Sequence, residues 1–494
     1  MKITISGSSR VCEAAEGETL LLALARSGLI LAAPCGGRGR CGKCRVRLVK
    51  GQVSGSAPDQ EGWVLACTAQ ALGDLEIALP GHAFEAIQQP GTELSGADRA
   101  RKPGGVGRAG VALDIGTTTV SARLVDLDQG APIDGVSELN DQRVFGADVM
   151  SRIAAAREGK TAELHGLINR QTKRIIEGFL QKWGLAAIET LSVSANTTML
   201  HFFCNEDPSG MGEVPFTPVF LEDRLMSGEA LGLPAGKVQI LPSISAFVGG
   251  DLCGGLGVLD ILQSEGPVLL VDIGTNGEMA LFNQGSILCC ATAAGPAFEG
   301  AEISQGMGGL AGAISGVQLI DGEISLTTIG EGPPKGICGS GLIDAVAVLL
   351  QKGLVDEAGY MEAGSFALSP EVSITARDIR QFQLAKSAIM SGIKILCQKG
   401  GLEPADIGHV YIAGGFGFFI NKKNAVGAGL FPAEFLGTLS VSGNLSLQGA
   451  EEALGDGDFV SRCRRIIEAS TVIDLSSDPG FMEEFAENML FNVY

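Results

Sequence analysis

The stretch Leu-Leu-Val-Asp-Ile-Gly-Thr-Asn-Gly-Glu at residues 269–278 decides the fold, because an apolar run ends there in an acidic residue and a glycine turn. A second copy, Val-Ala-Leu-Asp-Ile-Gly-Thr-Thr-Thr, occupies residues 111–119. Each copy continues into another apolar run, at residues 279–282 and 120–127, so each predicts a strand, a tight turn and a second strand. Two such units in one chain predict an internally duplicated fold.

Each predicted turn combines a carboxylate with hydrogen-bond donors. Asp114 and Asp272 end the first strands, and Gly116 and Gly274 are expected to take positive φ angles. Backbone N–H groups can then face an anion, together with the hydroxyls of Thr117, Thr118 and Thr275. Two facing turns would hold the phosphates of a nucleotide, with the two carboxylates reaching Mg²⁺ or its water shell. A single copy is also compatible with an ordinary hairpin that has a polar tip.

Composition limits the class of protein. A chain of 494 residues exceeds what one core serves, so two to four domains are expected. The hydrophobic content of 45% and the 71 glycines are typical of a turn-rich α/β protein, and a net charge of −20 argues against a nucleic-acid partner. Long apolar runs and a signal peptide are absent from the sequence, so we expect a cytoplasmic protein with no membrane partner. The twelve cysteines should stay free in that reducing compartment.

The first ninety residues have their own pattern. Two alternating runs, at residues 1–7 and 10–15, precede an apolar segment of helical density at 19–27 that Gly28 ends. A strand pair followed by a helix is typical of the start of a β-grasp domain.

Four cysteines follow with the spacing Cys-x5-Cys-x2-Cys-x22-Cys: Cys35, Cys41, Cys44 and Cys67. Three thiolates on one glycine-rich loop and a fourth from farther along the chain are typical of a [2Fe-2S] cluster. The segment resembles ferredoxins, and five residues between the first two ligands resemble the adrenodoxin-like branch. A zinc site is the alternative, although zinc sites usually combine two short cysteine pairs.

The cluster segment is basic within an acidic protein. Between Gly28 and Pro58 the sequence has no Asp or Glu. This surface is either a docking face for an acidic electron donor or acceptor, or a solvated basic face. Its cations are Arg38, Arg40, Lys43, Arg45, Arg47 and Lys50.

The rest of the chain divides by composition. Residues 88–110 are rich in Gly, Pro, Ser, Arg and Ala and predict a flexible linker between residues 1–87 and 111–494. Helices are expected near residues 244–259 and 385–397, among others. A buried strand from Val410 ends at a glycine pair whose backbone can lie against a ribose or adenine.

The two Asp-Ile-Gly-Thr hairpins and the late Ala-Gly-Gly turn resemble the ATPase superfamily of actin, sugar kinases and heat-shock chaperones. The resemblance implies a two-lobed α/β ATPase domain behind an α+β ferredoxin domain. It also implies phosphate contacts for residues 114–118 and 272–276, which include Asn276, and nucleoside contacts for Gly414, Gly415 and Phe416. Asp114 and Asp272 are the candidate catalytic residues, and Glu299 is a candidate base.

The remaining titratable residues carry no ligand pattern. We interpret the four histidines, His82, His165, His201 and His409, as structural. The eight other cysteines are interpreted as small core residues: Cys12, Cys204, Cys253, Cys289, Cys290, Cys338, Cys397 and Cys463.

The combination resembles the reductive activators of corrinoid proteins, on motifs at residues 140–142, 146–153, 214–218 and 336–344. The resemblance implies a [2Fe-2S] cluster, ATP and Mg²⁺, a low-potential electron donor, and a corrinoid protein of a methyltransferase system as the partner whose Co(II) is reduced to Co(I). Some relatives carry an extra domain that supports dimerisation. The linker here runs almost directly into Val111, which weakens the expectation of a homodimer.

Two alternative functions remain at this stage. One is a small-molecule kinase with a regulatory cluster. The other is a chaperone-like ATPase whose cluster is a redox sensor.

Overall fold

The computed structural model describes residues 1–8, 10–31, 33, 35–80, 105–300, 302–414, 420–455 and 457–491. Most of the predicted linker at residues 88–110 lies outside these residues, as do Gly415, Phe416 and His82. Within the described ranges, no helix is both long enough and apolar enough to cross a membrane.

The described residues form two compact units. The first takes residues from Met1–Ile87, Glu138–Ile175 and His201–Val219, and the second takes residues from Gln88–Ser137, Ile176–Leu200 and Phe220–Tyr494. Two segments that follow the first Asp-Ile-Gly-Thr hairpin therefore pack with the N-terminal residues. The predicted domain boundaries at 87 and 111 stay a prediction.

The N-terminal part has the predicted β-grasp order of strands and helix. Its elements are β1 (Lys2–Ile5), β2 (Val11–Glu13), α1 (Leu20–Arg26), β3 (Arg45–Lys50), β4 (Val53–Ser54), β5 (Trp63–Leu65), β6 (Gln70–Ala71) and β7 (Leu75–Ala78). Five strands form one sheet in the order β2-β1-β7-β3-β5, with β1 antiparallel to β2 and parallel to β7. The side chain of Thr19 caps α1, and Gly28 follows its end with a φ of 76°.

The next elements form a six-stranded sheet and three helices. They are β8 (Ala109–Ile115), β9 (Thr119–Asp126), β10 (Ala131–Leu139), α2 (Val149–Ala155), α3 (Thr161–Trp183), β11 (Ile188–Ala195), α4 (Thr197–Phe203), β12 (Arg224–Ser227) and β13 (Ala235–Ile240). The order of the sheet is β10-β9-β8-β11-β13-β12. Strand β8, which carries Asp114, lies between an antiparallel β9 and a parallel β11.

The remaining elements build a second six-stranded sheet, in the order β23-β22-β14-β15-β16-β24, with its helices and small sheets. They are α5 (Gly250–Val258), β14 (Val268–Ile273), β15 (Gly277–Asn283), β16 (Ser286–Thr292), β17 (Ala313–Ile320), β18 (Glu323–Thr328), β19 (Gly336–Ile337), α6 (Gly339–Gln351), β20 (Ser365–Ala367), β21 (Ser373–Thr375), α7 (Ala376–Gly400), β22 (His409–Ala413), α8 (Lys422–Gly427), β23 (Leu439–Gly443), α9 (Leu445–Gly455), α10 (Phe459–Ala469), β24 (Ser470–Val472) and α11 (Phe481–Glu487).

Five strands of each large sheet follow the same order, β10-β9-β8-β11-β13 and β16-β15-β14-β22-β23, which confirms the predicted duplication; the sixth strands, β12 and β24, differ in position. Strand β14 lies between an antiparallel β15 and a parallel β22, as β8 lies between β9 and β11. Both faces of β14 are covered, because Leu269 and Val271 pack into one hydrophobic cluster while Val268 and Leu270 pack into another. Burial on both faces explains why the sequence of β14 is continuously apolar.

One predicted helix begins later than expected. The helix predicted from residue 244 begins only at Gly250, because the preceding residues close a turn instead. Ile244 and Ser245 both donate their backbone N–H to the carbonyl of Val248. The helix predicted at 385–397 is longer, since a capping box of Thr375 and Asp378 starts α7 at Ala376.

Candidate functional site

The glycine N–H of each Asp-Ile-Gly-Thr turn donates a backbone hydrogen bond within the turn, to the third residue on in one copy and to the second residue on in the other. The N–H of Gly116 donates to the carbonyl of Thr119, and the N–H of Gly274 donates to that of Asn276, each at 2.9 Å. The predicted positive φ angles are wrong, since neither glycine lies in the left-handed region. Gly116 is required by space instead, because a Cβ there would lie 2.7 Å from the Thr119 carbonyl oxygen. At Gly274 an added Cβ would have more room, because its nearest neighbour, the carbonyl oxygen of Asn276, would lie 3.8 Å away.

The turns face each other across one open cleft, and residues of both turns line it. Thr118 Oγ1 and Thr275 Oγ1, one from each turn, both donate to Glu299 Oε2 at 2.6 Å. Asn196 Nδ2 donates to Thr117 Oγ1 at 3.2 Å. Glu299, predicted only as a candidate base, therefore joins the two copies of the motif.

Besides Glu299, four carboxylates line this cleft: Asp114, Asp251, Asp272 and Glu278. Burial, together with the charges of Asp251 and Asp114, raises the pKa of Asp272 to about 8. Burial and the charges of Asp251 and Asp272 raise the pKa of Glu278 well above its usual range. The described residues that line the cleft include no Lys, Arg or His, so no side-chain cation offsets these charges.

This donor set fits a divalent cation. Glu278 Oε2 is buried and has no hydrogen-bond partner among the described residues. Crowded carboxylate oxygens are the ligands that Mg²⁺ prefers, and a cation would stabilise their ionised forms. Among the described residues no three acidic side chains surround one metal ion, so Asp272 and Glu278 would hold Mg²⁺ through its water shell.

Asp114 has a different environment from its counterpart Asp272. Asn444 Nδ2 and Ser446 Oγ each donate to the Asp114 carboxylate at 2.7 Å. Burial still raises the pKa of Asp114 to about 6, although these two hydrogen bonds favour the ionised form. Asp114 is thus fixed in orientation by protein donors.

The late glycine turn approaches the same cleft. Gly414 lines the cleft and has a φ of 109°, and a Cβ there would lie 2.3 Å from the carbonyl oxygen of Ile273. Only glycine fits this position, which keeps the end of β22 against the end of β14. The nucleoside contacts predicted for Gly415 and Phe416 fall outside the described residues.

Seven further residues of the cleft were not predicted as site residues: Thr119, Ser121, Asn196, Asp251, Glu278, Asn444 and Ser446. Glu278 carries a signal in the sequence, since it lies directly opposite Asp272 in the hairpin register. Asn196 immediately follows the end of β11, the position where polar site residues of such sheets occur. For Asn444 and Ser446 the sequence gives no comparable signal.

The four predicted cluster thiols lie together as two pairs. Cys35 interacts directly with Cys41, and Cys44 interacts directly with Cys67. Cys67 and Cys35 are also close enough to interact electrostatically. Among the described residues, no three Cys, His, Asp or Glu side chains are placed around a single metal ion. Two adjacent thiol pairs fit a two-iron cluster better than a single tetrahedral zinc ion.

The cluster loop directs backbone N–H groups at these sulfurs. Burial alone would raise the pKa of Cys35, but N–H groups of Cys41, Arg40 and Arg38 lower it to about 7. Gly36, Gly37, Gly39 and Gly42 all have positive φ angles, which is how the loop turns its donors inward. Burial and the neighbouring Cys44 raise the pKa of Cys67 to about 12, so a metal would have to displace its proton.

The other cysteines and histidines agree with structural roles. Seven of the eight remaining cysteines are buried, and Cys204 is half-buried. His201 is fully buried and its Nε2 accepts a hydrogen bond from Val219 N at 2.9 Å. His165 Nδ1 contacts the carbonyl oxygen of Phe202 at 3.0 Å.

Comparisons with known families cover almost the whole chain. Residues 3–72 match the 2Fe-2S iron-sulfur cluster binding domain. Residues 109–264 match the RACo middle region, and residues 266–493 match the C-terminal domain of RACo, the ASKHA domain.

Individual proteins agree with these matches. The corrinoid activation enzyme RamQ of Eubacterium limosum is 33% identical over 77% of this chain and 70% of its own length. The [Co(II) methylated amine-specific corrinoid protein] reductase of Methanosarcina barkeri is 28% identical over 69% of each chain. A solved reductive activator for corrinoid, iron-sulfur protein superposes with a TM-score of 0.74 at 28% identity and covers 99% of this chain and 98% of its own. The chain belongs to the family of reductive activators of corrinoid proteins.

Proposed function

We propose that this protein is an ATP-dependent reductase that passes one electron from a low-potential donor to the Co(II) corrinoid of a partner methyl-transfer protein and so restores Co(I). The observation that carries the proposal is that one chain contains two sites. One is the set of four thiols, three on the cluster loop and one from Cys67, and the other is the nucleotide cleft, which two copies of one motif and several carboxylates line. When bound, a [2Fe-2S] cluster supplies one-electron chemistry.

ATP is needed for an energetic reason. Moving one electron uphill costs about 2.3 kcal/mol per 100 mV. Reversing the populations of a two-state complex takes about 5.5 kcal/mol of differential binding. The binding and hydrolysis of ATP can supply this free energy by favouring one state of the complex with the corrinoid protein.

Within the cleft we assign roles by chemistry. Backbone N–H groups and hydroxyls of the turns that contain Thr118 and Thr275 bind phosphate oxygens, and Asp272 holds the metal. Asp114, fixed by Asn444 and Ser446, orients the attacking water. Gly414 contacts the nucleoside, and the contacts predicted for Gly415 and Phe416 lie outside the described residues. Glu299 either accepts a proton from that water or positions the two threonine hydroxyls.

The test is an anaerobic stopped-flow measurement of a Co(II) corrinoid protein mixed with this protein, reductant and MgATP. We expect the visible spectrum of Co(I) to appear with MgATP and to be much weaker with Mg²⁺ alone or with a non-hydrolysable analogue. An equal extent of Co(I) with and without MgATP would contradict the coupling.

The proposal extends to the setting of the protein. We place it in the cytoplasm, which the twelve free cysteines support. The expectation of a homodimer comes from relatives alone. Sedimentation of the purified protein measures its oligomeric state.

A further inference from the structure

The cluster loop has one covered side and one open side within the first unit. On the covered side, a Cβ at Gly36 would lie 2.9 Å from the carbonyl oxygen of Phe145. Arg143 Nη2 donates to the carbonyl of Ile30 at 3.2 Å and strengthens this contact. On the open side, Gly42 is exposed and a Cβ there would meet nothing within 4 Å. Another protein can therefore approach the thiols most closely from the side of Gly42.

The open side is also strongly positive. All six cations of this stretch are exposed: Arg38, Arg40, Lys43, Arg45, Arg47 and Lys50. Arg45 pairs with Asp59, whereas Arg38, Arg40 and Lys43 form no ion pair within the described part of the chain. Only Arg38, Arg40 and Lys43 lie in the cluster loop around Gly42, and we call these three residues the basic face. A positive patch around an approach to a redox centre steers a negatively charged partner and increases its association rate.

The protein that docks on the basic face could be the electron donor or the electron acceptor. The proposed function, on which this inference rests, decides between them. A corrinoid partner must sense the nucleotide, so its contacts have to include the ATPase part of the chain. An electron donor needs only the cluster. We propose that the basic face is the docking surface for the electron donor, a small acidic one-electron carrier protein. In the transfer, the donor loses one electron and the cluster bound to this protein gains it.

The experiment measures binding first, so that it does not depend on turnover. The probe is a small acidic [4Fe-4S] ferredoxin, titrated into the intact, cluster-containing protein by calorimetry. The test variant is Arg40→Glu/Lys43→Glu, whose exposed side chains flank Gly42. The matched control is Lys2→Glu/Arg10→Glu, which makes the same change in net charge at the other edge of the sheet.

We expect the test variant to bind the ferredoxin at least about tenfold more weakly at low ionic strength, and the control to change the affinity less than about twofold. The difference should shrink at about 0.5 M salt, because exposed charges are screened there. Equal weakening in both variants, or no weakening in the test variant, would overturn the docking surface.

A second readout uses the sign of the donor's charge. The cluster's visible band reports its reduction. Reduction of the cluster by ferredoxin should be slower in Arg40→Glu/Lys43→Glu than in the wild type, whereas reduction by the cationic methyl viologen radical should be as fast as in the wild type or faster. Slowing with both donors would indicate a damaged cluster loop and overturn the inference. If the unmodified protein forms no Co(I) from methyl viologen and MgATP, the proposed function has failed instead, and ferredoxin binding still decides the docking surface.

Discussion

At the scale of single residues, the two copies of one motif have diverged in environment. Asp114 and Asp272 occupy equivalent strand positions, yet only Asp114 has two side-chain donors, from Asn444 and Ser446. Asp272 lies among other carboxylates, which together with burial raise its pKa to about 8. The duplicated fold thus supplies one oriented carboxylate and one that needs a cation.

Asp272→Asn should separate stability from nucleotide binding. At pH 7, below the pKa of about 8, folding without Mg²⁺ obliges Asp272 to take up a proton, so the neutral Asn should raise the melting temperature. The same change should reduce the additional stabilisation by MgATP, since a metal ligand is lost. Thermal unfolding with and without MgATP measures both effects. Asp321→Asn, in an exposed turn, is the control, and an unchanged MgATP shift in Asp272→Asn would contradict the assignment.

Glu299→Gln tests the residue that joins the two turns. The amide keeps the size of the side chain but is a weaker acceptor for the hydroxyls of Thr118 and Thr275, and it cannot act as a base. We expect the rate constant of ATP hydrolysis to fall by about 10²–10⁴ while nucleotide affinity changes little. A phosphate-release assay and a nucleotide titration measure the two quantities. The exposed neighbour Glu302 provides the control variant Glu302→Gln, and a wild-type rate in Glu299→Gln would exclude this role.

At the scale of elements, a close contact between α5 and α9 supports Asp114. A Cβ at Gly449 would lie 2.9 Å from the Cα of Gly254, so the two helices approach through glycines. Helix α9 carries Ser446, which donates to Asp114. Gly254 and Gly449 therefore determine where the Ser446 hydroxyl lies in the nucleotide cleft.

Gly449→Val should disturb both the packing and the cleft. The added side chain would push α9 from α5, and overpacking of this kind costs about 1–3 kcal/mol. Urea unfolding measures the loss, and a nucleotide titration should show weaker binding because Ser446 moves. Gly455→Ala lies in the same helix with nothing within 4 Å of the added Cβ, and it should cost little. Equal stability of the two variants would argue against the contact.

A second element, α11, is attached to α7 through a buried lysine. Lys386 is 2% exposed, and its Nζ donates to the carbonyls of Asn488 at 2.7 Å and Leu490 at 2.5 Å. Burial lowers the pKa of Lys386 to about 8. An unfolded lysine has a pKa near about 10.4, so between these values the unfolded chain binds more protons.

The free energy of unfolding should consequently rise with pH between about 8 and 10, by up to about 3 kcal/mol from this group. Lys386→Met removes the titrating group, so its free energy of unfolding should lack this part of the rise. Urea unfolding at pH 7.5 and 9.5, compared with wild type and with the exposed-lysine variant Lys423→Met, measures the difference. Parallel pH profiles of wild type and Lys386→Met would refute the assignment.

At the scale of the whole molecule, the question is whether the cluster and the ATPase work together. Cys41→Ser should abolish the visible cluster band and the formation of Co(I), because one thiol of the first pair is lost. ATP hydrolysis should persist, because Cys41 is not among the residues that line the nucleotide cleft. If Cys41→Ser only abolishes a response to oxidant and Co(I) still forms, the redox-sensing chaperone is the better description. Hydrolysis stimulated by a sugar or acid would favour the kinase.

The sequence alone was sufficient for the features that depend on local pattern. Apolar runs ending in Asp-Ile-Gly-Thr predicted both hairpins, since strand and turn preferences act over a few residues. The spacing of Cys35, Cys41, Cys44 and Cys67 predicted the paired thiols, because the loop that holds three of them is continuous in the chain. The family also followed from these motifs.

Only the tertiary structure decided the features that depend on strand order and burial. Asp114 meets Asn444 across 330 residues, and Glu299 meets both threonines only because the two sheets of the second unit bring their turns to one cleft. The raised pKa values arise from desolvation and crowding, which no local pattern encodes. The positive φ expected at Gly116 was wrong for a local reason instead: the close carbonyl of Thr119, three residues on in the same hairpin, requires glycine there without a left-handed turn.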